Sequence, residues 1–229
     1  MDMLKRNIIP TTQDLKTIGV FDIGETLVNI SKKLTYCTTS YEKNDMIPYT
    51  GTDIWVRDTV SNMLDLASRK LVSKFPDYRL KIVYGYRHPE VQKYYFEKRK
   101  DKISQNNHNI STEELTELTH TMVAIPELAG HPTGGAVDIT ISTISGTDID
   151  MGTKIADYSV PSKIKTFDNT LSEEQKYNRK LLHDLMVEEG FAPYYGEWWH
   201  FSYGDREWAW FYQKLEALYG QVDFKIKKD

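Results

Sequence analysis

The stretch Glu197-Trp198-Trp199-His200 places a carboxylate and an imidazole three residues apart around two indoles, directly after Gly196. Polar groups held among aromatics are costly to bury unless they find partners. An ordinary core strand has no use for such a cluster, and the combination suggests a metal ligand beside an acid/base group. Its complement is His131-Pro132-Thr133-Gly134-Gly135-Ala136-Val137-Asp138, which offers a second imidazole and a second carboxylate across a glycine pair. Two histidines and one aspartate, with a fourth position for water, make a catalytic zinc site. A structural zinc site does not fit, because Cys37 is the only thiol in the chain.

Spacing constrains how these side chains can meet. Residues three or seven apart on a straight strand point to opposite faces. His131 and Asp138 therefore need a break, which Gly134-Gly135 supplies: His131 belongs to an approach loop and Asp138 to the strand. Glu197 and His200 need one too, and Gly196 is where the backbone can bend. A lone histidine in an aromatic or glycine-rich setting is more often structural, and it is the pairing with Asp138 and Glu197 that singles these two out. Of the others, His108 falls in a polar loop, His120 and His183 are expected on helices facing solvent, and His88 stays unassigned.

The elements that must carry these residues follow from periodicity and turn chemistry. Residues 17–30 alternate and read as a strand or hairpin. Within them, Asp22-Ile23-Gly24-Glu25-Thr26 resembles the nucleophile loop of haloacid-dehalogenase-type phosphatases, but Gly24 stands where that loop needs its second aspartate. Residues 36–53 are turn-rich and read as loop. Apolar steps of three and four from Val56 to Phe75 predict an amphipathic helix, and Leu80–Tyr86 a buried strand leading to Arg87. Helical spacing resumes over 90–100. Ser111-Thr112-Glu113-Glu114 and Ser172-Glu173-Glu174-Gln175 are capping boxes that open further helices, the first ending near His120 and the second at Gly190. Tyr177, Leu181, Leu185 and Met186 form the apolar stripe of the second. Leu128–Gly134 is irregular, Ala136–Ile144 a strand, and Trp208–Tyr219 has helical spacing. The expectation is an α+β fold: one domain over residues 1–229, with a central, mainly antiparallel sheet flanked by helices.

The chain has 229 residues, 40% hydrophobic and 27% charged, which is ordinary for a soluble globular protein. A net charge of −4 without a basic stripe argues against nucleic acid, and Lys225-Ile226-Lys227-Lys228 is too small a patch to reverse that. No apolar run reaches membrane-spanning length, and Met1–Pro10 lacks the apolar core of a signal peptide. With a single cysteine, the expected compartment is the cytoplasm, a processed precursor being the alternative.

The arrangement His131-x-x-Gly134-x-Ala136-x-Asp138, followed at a distance by Glu197-x-x-His200, resembles the zinc D-alanyl-D-alanine peptidase family. Glu197-Trp198-Trp199-His200-Phe201, Gly85-Tyr86-Arg87 and Asp150-Met151-Gly152-Thr153 are similar to its dipeptidase branch, the one known from vancomycin resistance. The similarity runs from about Val56 to Tyr203. It implies one zinc per chain on His131, Asp138 and His200, Glu197 as general acid/base, Arg87 stabilising the transition state, and a small peptide substrate. Three positions depart from the pattern. Ala129 replaces a serine that helps hold substrate, and Tyr84 an aspartate before Gly-Tyr-Arg. Ala156 stands where the anchor of the substrate's amine is expected, with Asp157 one residue on as its candidate replacement. Trp198 is a candidate substrate contact, although tryptophans of this kind more often pack in a core. The implied activity is hydrolysis of D-alanyl-D-alanine or a similar short D-peptide. Its rivals are a carboxypeptidase or endopeptidase acting on peptidoglycan stem peptides, and a zinc-bearing module that binds peptide or glycan without catalysis.

Overall fold

The computed structural model describes residues 7–33, 37–38, 44–107 and 109–226. His108, the first six residues, part of the 36–53 segment and Lys227-Lys228 lie outside them. The strands are β1 (Gly19–Val20), β2 (Leu27–Asn29), β3 (Cys37–Thr38), β4 (Trp55–Arg57), β5 (Tyr78–Tyr84), β6 (Ala136–Thr143), β7 (Ala192–Pro193), β8 (His200–Ser202) and β9 (Glu216–Ala217). The helices are α1 (Thr12–Lys16), α2 (Ile47–Thr50), α3 (Asp58–Lys74), α4 (Pro89–Gln105), α5 (Thr112–His120), α6 (Glu173–Glu188) and α7 (Arg206–Phe211).

A five-stranded sheet in the order β3-β5-β6-β8-β7 organises the molecule, antiparallel except where β3 joins β5. The fold is thus α+β with a mainly antiparallel sheet. Period-two alternation along β6 divides its residues between two environments. Val137, Ile139 and Ile141 enter the main core with Leu64 and Leu71 of α3 and Leu182 and Met186 of α6. Asp138 and Thr140, on the other face, line a cleft of about 1310 Å³. Register then decides which groups meet there: Asp138 lies opposite His200 on β8 and, past an irregularity at Ile82/Tyr84, opposite Tyr84 on β5.

Helix ends match their sequence signals. Ser111 and Ser172 each accept the N3 backbone N–H of their helix, and Glu114 and Gln175 return the bond. Gly190, at φ 93°, ends the α6 segment in the left-handed region that L-residues avoid. Tyr177 does not belong to the buried stripe of α6: its side chain is exposed, and Leu182 occupies the core instead.

Other differences have local causes. Residues 17–30 do contain β1 and β2, but these pair with β9 and β4 and not with each other. Val56 belongs to β4, and α3 begins only at Asp58. The helix expected over Trp208–Tyr219 stops at Phe211: Gln213 takes φ 55° and Ala217 pairs in β9. Trp208 and Phe211 still bury in one cluster with Tyr212 and Leu218 packed against it, but Leu215, which helical spacing placed on the same stripe, is exposed. Among the described residues no helix is long and apolar enough to cross a membrane.

Candidate metal centre and active site

His131 opens a 3-10 turn, His131–Thr133, that Gly134 closes at φ 74°. That conformation, costly for any residue with a Cβ, lets the chain leave the loop and enter β6 with Asp138 facing the cleft. The buried Arg57 secures the same turn, its Nε donating to the Thr133 carbonyl at 2.6 Å. Glu197 and His200 meet through a second turn, in which the Glu197 N–H bonds the Tyr194 carbonyl at 3.1 Å and the His200 N–H the Glu197 carbonyl at 3.2 Å. Gly196 is required there by packing: a Cβ at this position would stand 2.5 Å from the Tyr194 ring.

Ligand-type atoms of His131, Asp138 and His200 lie within 4.8 Å of one another, and all three residues are buried. His131 Nδ1 is 2.8 Å from the Gly85 carbonyl oxygen. A carbonyl only accepts, so Nδ1 carries the proton and Nε2, 3.4 Å from Asp138 Oδ1, presents its lone pair. His200 Nδ1 is 3.1 Å from the same Asp138 oxygen, while its Nε2 faces Glu207 Oε2 at 3.5 Å, an ion-pair distance more than a tight hydrogen bond. Burial pushes His131 down to about 4, against the pull of Asp138, and so keeps it neutral. Burial works against the charge on Asp138, but His131 and His200 hold its carboxyl well below the usual range. His200 is raised, also against burial, by Asp138 and Glu207.

These residues fit a zinc ion. The donors are two imidazole nitrogens and one carboxylate, with no thiolate. Each histidine turns its second nitrogen toward a carbonyl or carboxylate, the outer support that fixes tautomer and ring orientation in metal sites. Glu207 is therefore a positioning residue for His200. Glu207→Gln is expected to weaken zinc binding roughly 10- to 100-fold with the fold retained, measured by competition with a chelator. Unchanged affinity would remove Glu207 from the site.

Glu197 is buried next to this group, and its Oε1 accepts the Tyr158 hydroxyl at 2.6 Å. Burial, with Asp138 adding to it, pushes its carboxyl up to about 7 in the metal-free protein. Arg87 follows β5. Its Nε donates to the Tyr84 hydroxyl at 3.0 Å and its Nη1 to Gln92 Oε1 at 2.7 Å, with the guanidinium 4.4 Å from the Tyr84 ring centre. Tyr84, the departure noted in the sequence, thus orients the arginine.

The remaining candidates lie in the same cleft wall. Asp157 is half-buried and follows Ala156, which takes φ 58°. Its Oδ1 accepts the Ser159 N–H at 3.0 Å, and bonds from Ser159 hold the carboxyl below its ordinary value. Trp198 borders the cleft but is packed into the main core, its indole N–H donating to Thr153 Oγ1 at 2.9 Å.

The segment after α5 carried no signal in the sequence, yet it anchors both catalytic candidates. The Ala124 carbonyl accepts Gln92 Nε2, which links it to Arg87. The Met122 carbonyl is 3.3 Å from the Tyr158 hydroxyl that serves Glu197. His120 and His183 are not open to solvent. His120 is buried and accepts the Ile125 N–H at Nδ1, and His183 packs against Phe167 and Tyr195. Tyr158, Gln92 and Glu207 had no distinguishing spacing, because register and loop packing bring them in.

A cleft floored by two histidines and an aspartate, with a buried glutamate alongside, has the donor set and the base that a metal-dependent hydrolase site requires. The family model described as D-ala-D-ala dipeptidase, peptidase family M15, matches residues 17–220, and the chain belongs to this family. A D-alanyl-D-alanine dipeptidase of Synechocystis sp. is 39% identical over 109 residues, a match covering 41% of this chain and 44% of the relative. The chain thus aligns with less than half of that relative's length. Among solved structures, a mutant of the vancomycin resistance D,D-pentapeptidase VanY in complex with Zn(II) is 16% identical, with TM-score 0.44 over 72% of this chain and 82% of the other. The LD-carboxypeptidase LdcB is 18% identical, with TM-score 0.45 over 86% and 77%.

Proposed function

We propose that the protein is a zinc metallopeptidase that hydrolyses D-alanyl-D-alanine or a similar short D-amino-acid dipeptide. The observation that carries this reading is the convergence of His131, Asp138 and His200 beside a buried Glu197 in one cleft. Family membership supports the substrate class. Zinc held by those three residues would bring a bound water to a pKa of roughly 7 and polarise the scissile carbonyl. Glu197 accepts the proton of the attacking water and passes it to the leaving amine, so that the amine departs neutral. The Tyr158 hydroxyl fixes the carboxylate for both transfers. Negative charge then gathers on the carbonyl oxygen, and Arg87, held by Tyr84 and Gln92, is the cation aimed at it. Asp157 is the proposed partner of the substrate's ammonium, because a buried cation needs a counter-charge. Trp198 contributes an edge of the pocket wall. A non-catalytic binding module has no use for a buried base beside a metal ligand.

The volume of about 1310 Å³ favours a second reading, a D,D- or L,D-carboxypeptidase on stem peptides. Small-molecule sites are usually about 300–1,000 Å³. One experiment separates the readings. The purified protein is expected to hold about one zinc per chain and to cleave free D-Ala-D-Ala while leaving the N-acetylated dipeptide intact. Equal or faster cleavage of the acetylated substrate selects the carboxypeptidase. Zinc-loaded protein that cleaves neither dipeptide nor stem peptide rejects the peptidase reading itself.

A further inference from the structure

We propose that Arg99 binds the C-terminal carboxylate of the substrate's leaving residue; this rests on the peptidase reading above and makes the enzyme an exopeptidase. Arg99 lies on α4, half-buried in the cleft wall. Its guanidinium carbon is 4.4 Å from the centre of the Tyr158 ring, the same tyrosine whose hydroxyl sits 2.6 Å from Glu197 Oε1. Among the described residues no carboxylate pairs with Arg99, whereas Lys81 across the cleft is bound to Asp148 at 2.8 Å. Lys98 and Lys102, on the same helix, also border the cleft, so this wall is cationic with no acidic counterpart on α4 facing it.

The chemistry of the cleaved bond says what such a cation meets. Glu197 must come within hydrogen-bond reach of the leaving nitrogen to protonate it. In an α-amino acid the carboxylate carbon is two bonds from that nitrogen, through N–Cα and Cα–C bonds of about 1.5 Å each. A free C-terminal carboxylate on the leaving residue therefore falls within roughly 4–6 Å of Glu197. Arg99, seated on the tyrosine that holds Glu197, is the cation beside that position. The other arginine of the cleft, Arg87, is already bound to Tyr84 and Gln92. A guanidinium held over an aromatic ring still offers N–H groups for bidentate bonds to a carboxylate, a geometry that a lysine cannot reproduce. Substrates extended past the leaving residue, or capped there as amides, lose this pairing.

The test uses the zinc-loaded protein, with D-Ala-D-Ala and its C-terminal amide as paired substrates. Wild type is expected to prefer the acid. Arg99→Gln should lower kcat/KM for the acid roughly 10- to 100-fold, mainly through KM, leave the amide unaffected and so erase the preference. Arg99→Lys should recover part of it. Equal losses on acid and amide would mean that Arg99 acts only by supporting Tyr158, and acid preference persisting in Arg99→Gln would place the carboxylate elsewhere; either overturns the inference while the peptidase reading stands. Calorimetric binding of both ligands is measured in parallel. If wild type turns over neither substrate, the peptidase reading fails, and the inference is then decided by whether Arg99→Gln abolishes acid-selective binding.

Discussion

Glu197→Gln and Glu197→Ala are both expected to lose about 10²–10⁴ in kcat while retaining the full zinc content of wild type. Neither side chain accepts a proton from water at neutral pH, and neither removal touches His131, Asp138 or His200. The two variants differ in a way that separates chemistry from scaffolding. Glutamine keeps an oxygen to accept the Tyr158 hydroxyl, whereas alanine leaves that buried donor unpaired, at a cost of about 1–3 kcal/mol. Alanine should therefore lower the melting temperature and glutamine should not, although activity falls in both. A glutamine variant with near-normal turnover would show that Glu197 is not the base. Loss of zinc from either would make it a ligand, whereas His200→Ala is the substitution expected to release the metal.

The pH profile carries the same assignment. Glu197 must be ionised to accept a proton, so kcat/KM rises with pH through its pKa and levels off above it. Burial and Asp138 set that pKa at about 7 without metal. A bound dication stabilises the anion and draws it lower. The acid limb therefore lies below pH 7 in the zinc enzyme and should vanish in Glu197→Gln.

How much of this was readable from residues alone depended on whether a feature is local. Capping boxes at Ser111 and Ser172 are local, and they place both helix starts. The alternation of β6 is also local, and it separates Asp138 from the core residues around it. His131 and His200 stood out because glycine, carboxylate and imidazole occur together within a few residues of each. Glu207 and Tyr158 gave no such signal, since one lies in the first turn of a short, mostly buried aromatic helix and the other in an irregular stretch. Their roles come from how distant segments are packed. Periodicity also does not tell which face of a short helix is covered. His120 ends α5 in a polar sequence, yet the returning chain at Ile125 buries it. The same limit explains Trp208–Tyr219, where apolar spacing reported the burial of Trp208 and Phe211 but neither the exposure of Leu215 nor the conformation beyond Phe211.

Arg87→Lys is expected to lose nearly as much activity as Arg87→Ala, roughly 10²–10³ in kcat as for other donors to a developing oxyanion. Charge is conserved in the lysine variant, so Coulomb attraction alone predicts a mild effect. Geometry predicts otherwise. Two guanidinium nitrogens are already bound, Nε to Tyr84 and Nη1 to Gln92, and the guanidinium carbon lies 4.4 Å from the Tyr84 ring centre. Those contacts hold the remaining edge of the fork in place before substrate arrives, and an ammonium on a flexible stem cannot satisfy both partners and still reach the same point. The loss should fall on kcat with KM little changed, because the charge that Arg87 meets exists only in the transition state. Gln92 also ties Arg87 to the segment after α5, so a structural role must be told apart from an electrostatic one. Zinc content and melting temperature of Arg87→Lys serve that purpose, and both should match wild type. A lysine variant with near-normal kcat would leave Arg87 as a strut between β5 and the Ala124 carbonyl, and the oxyanion would need another donor.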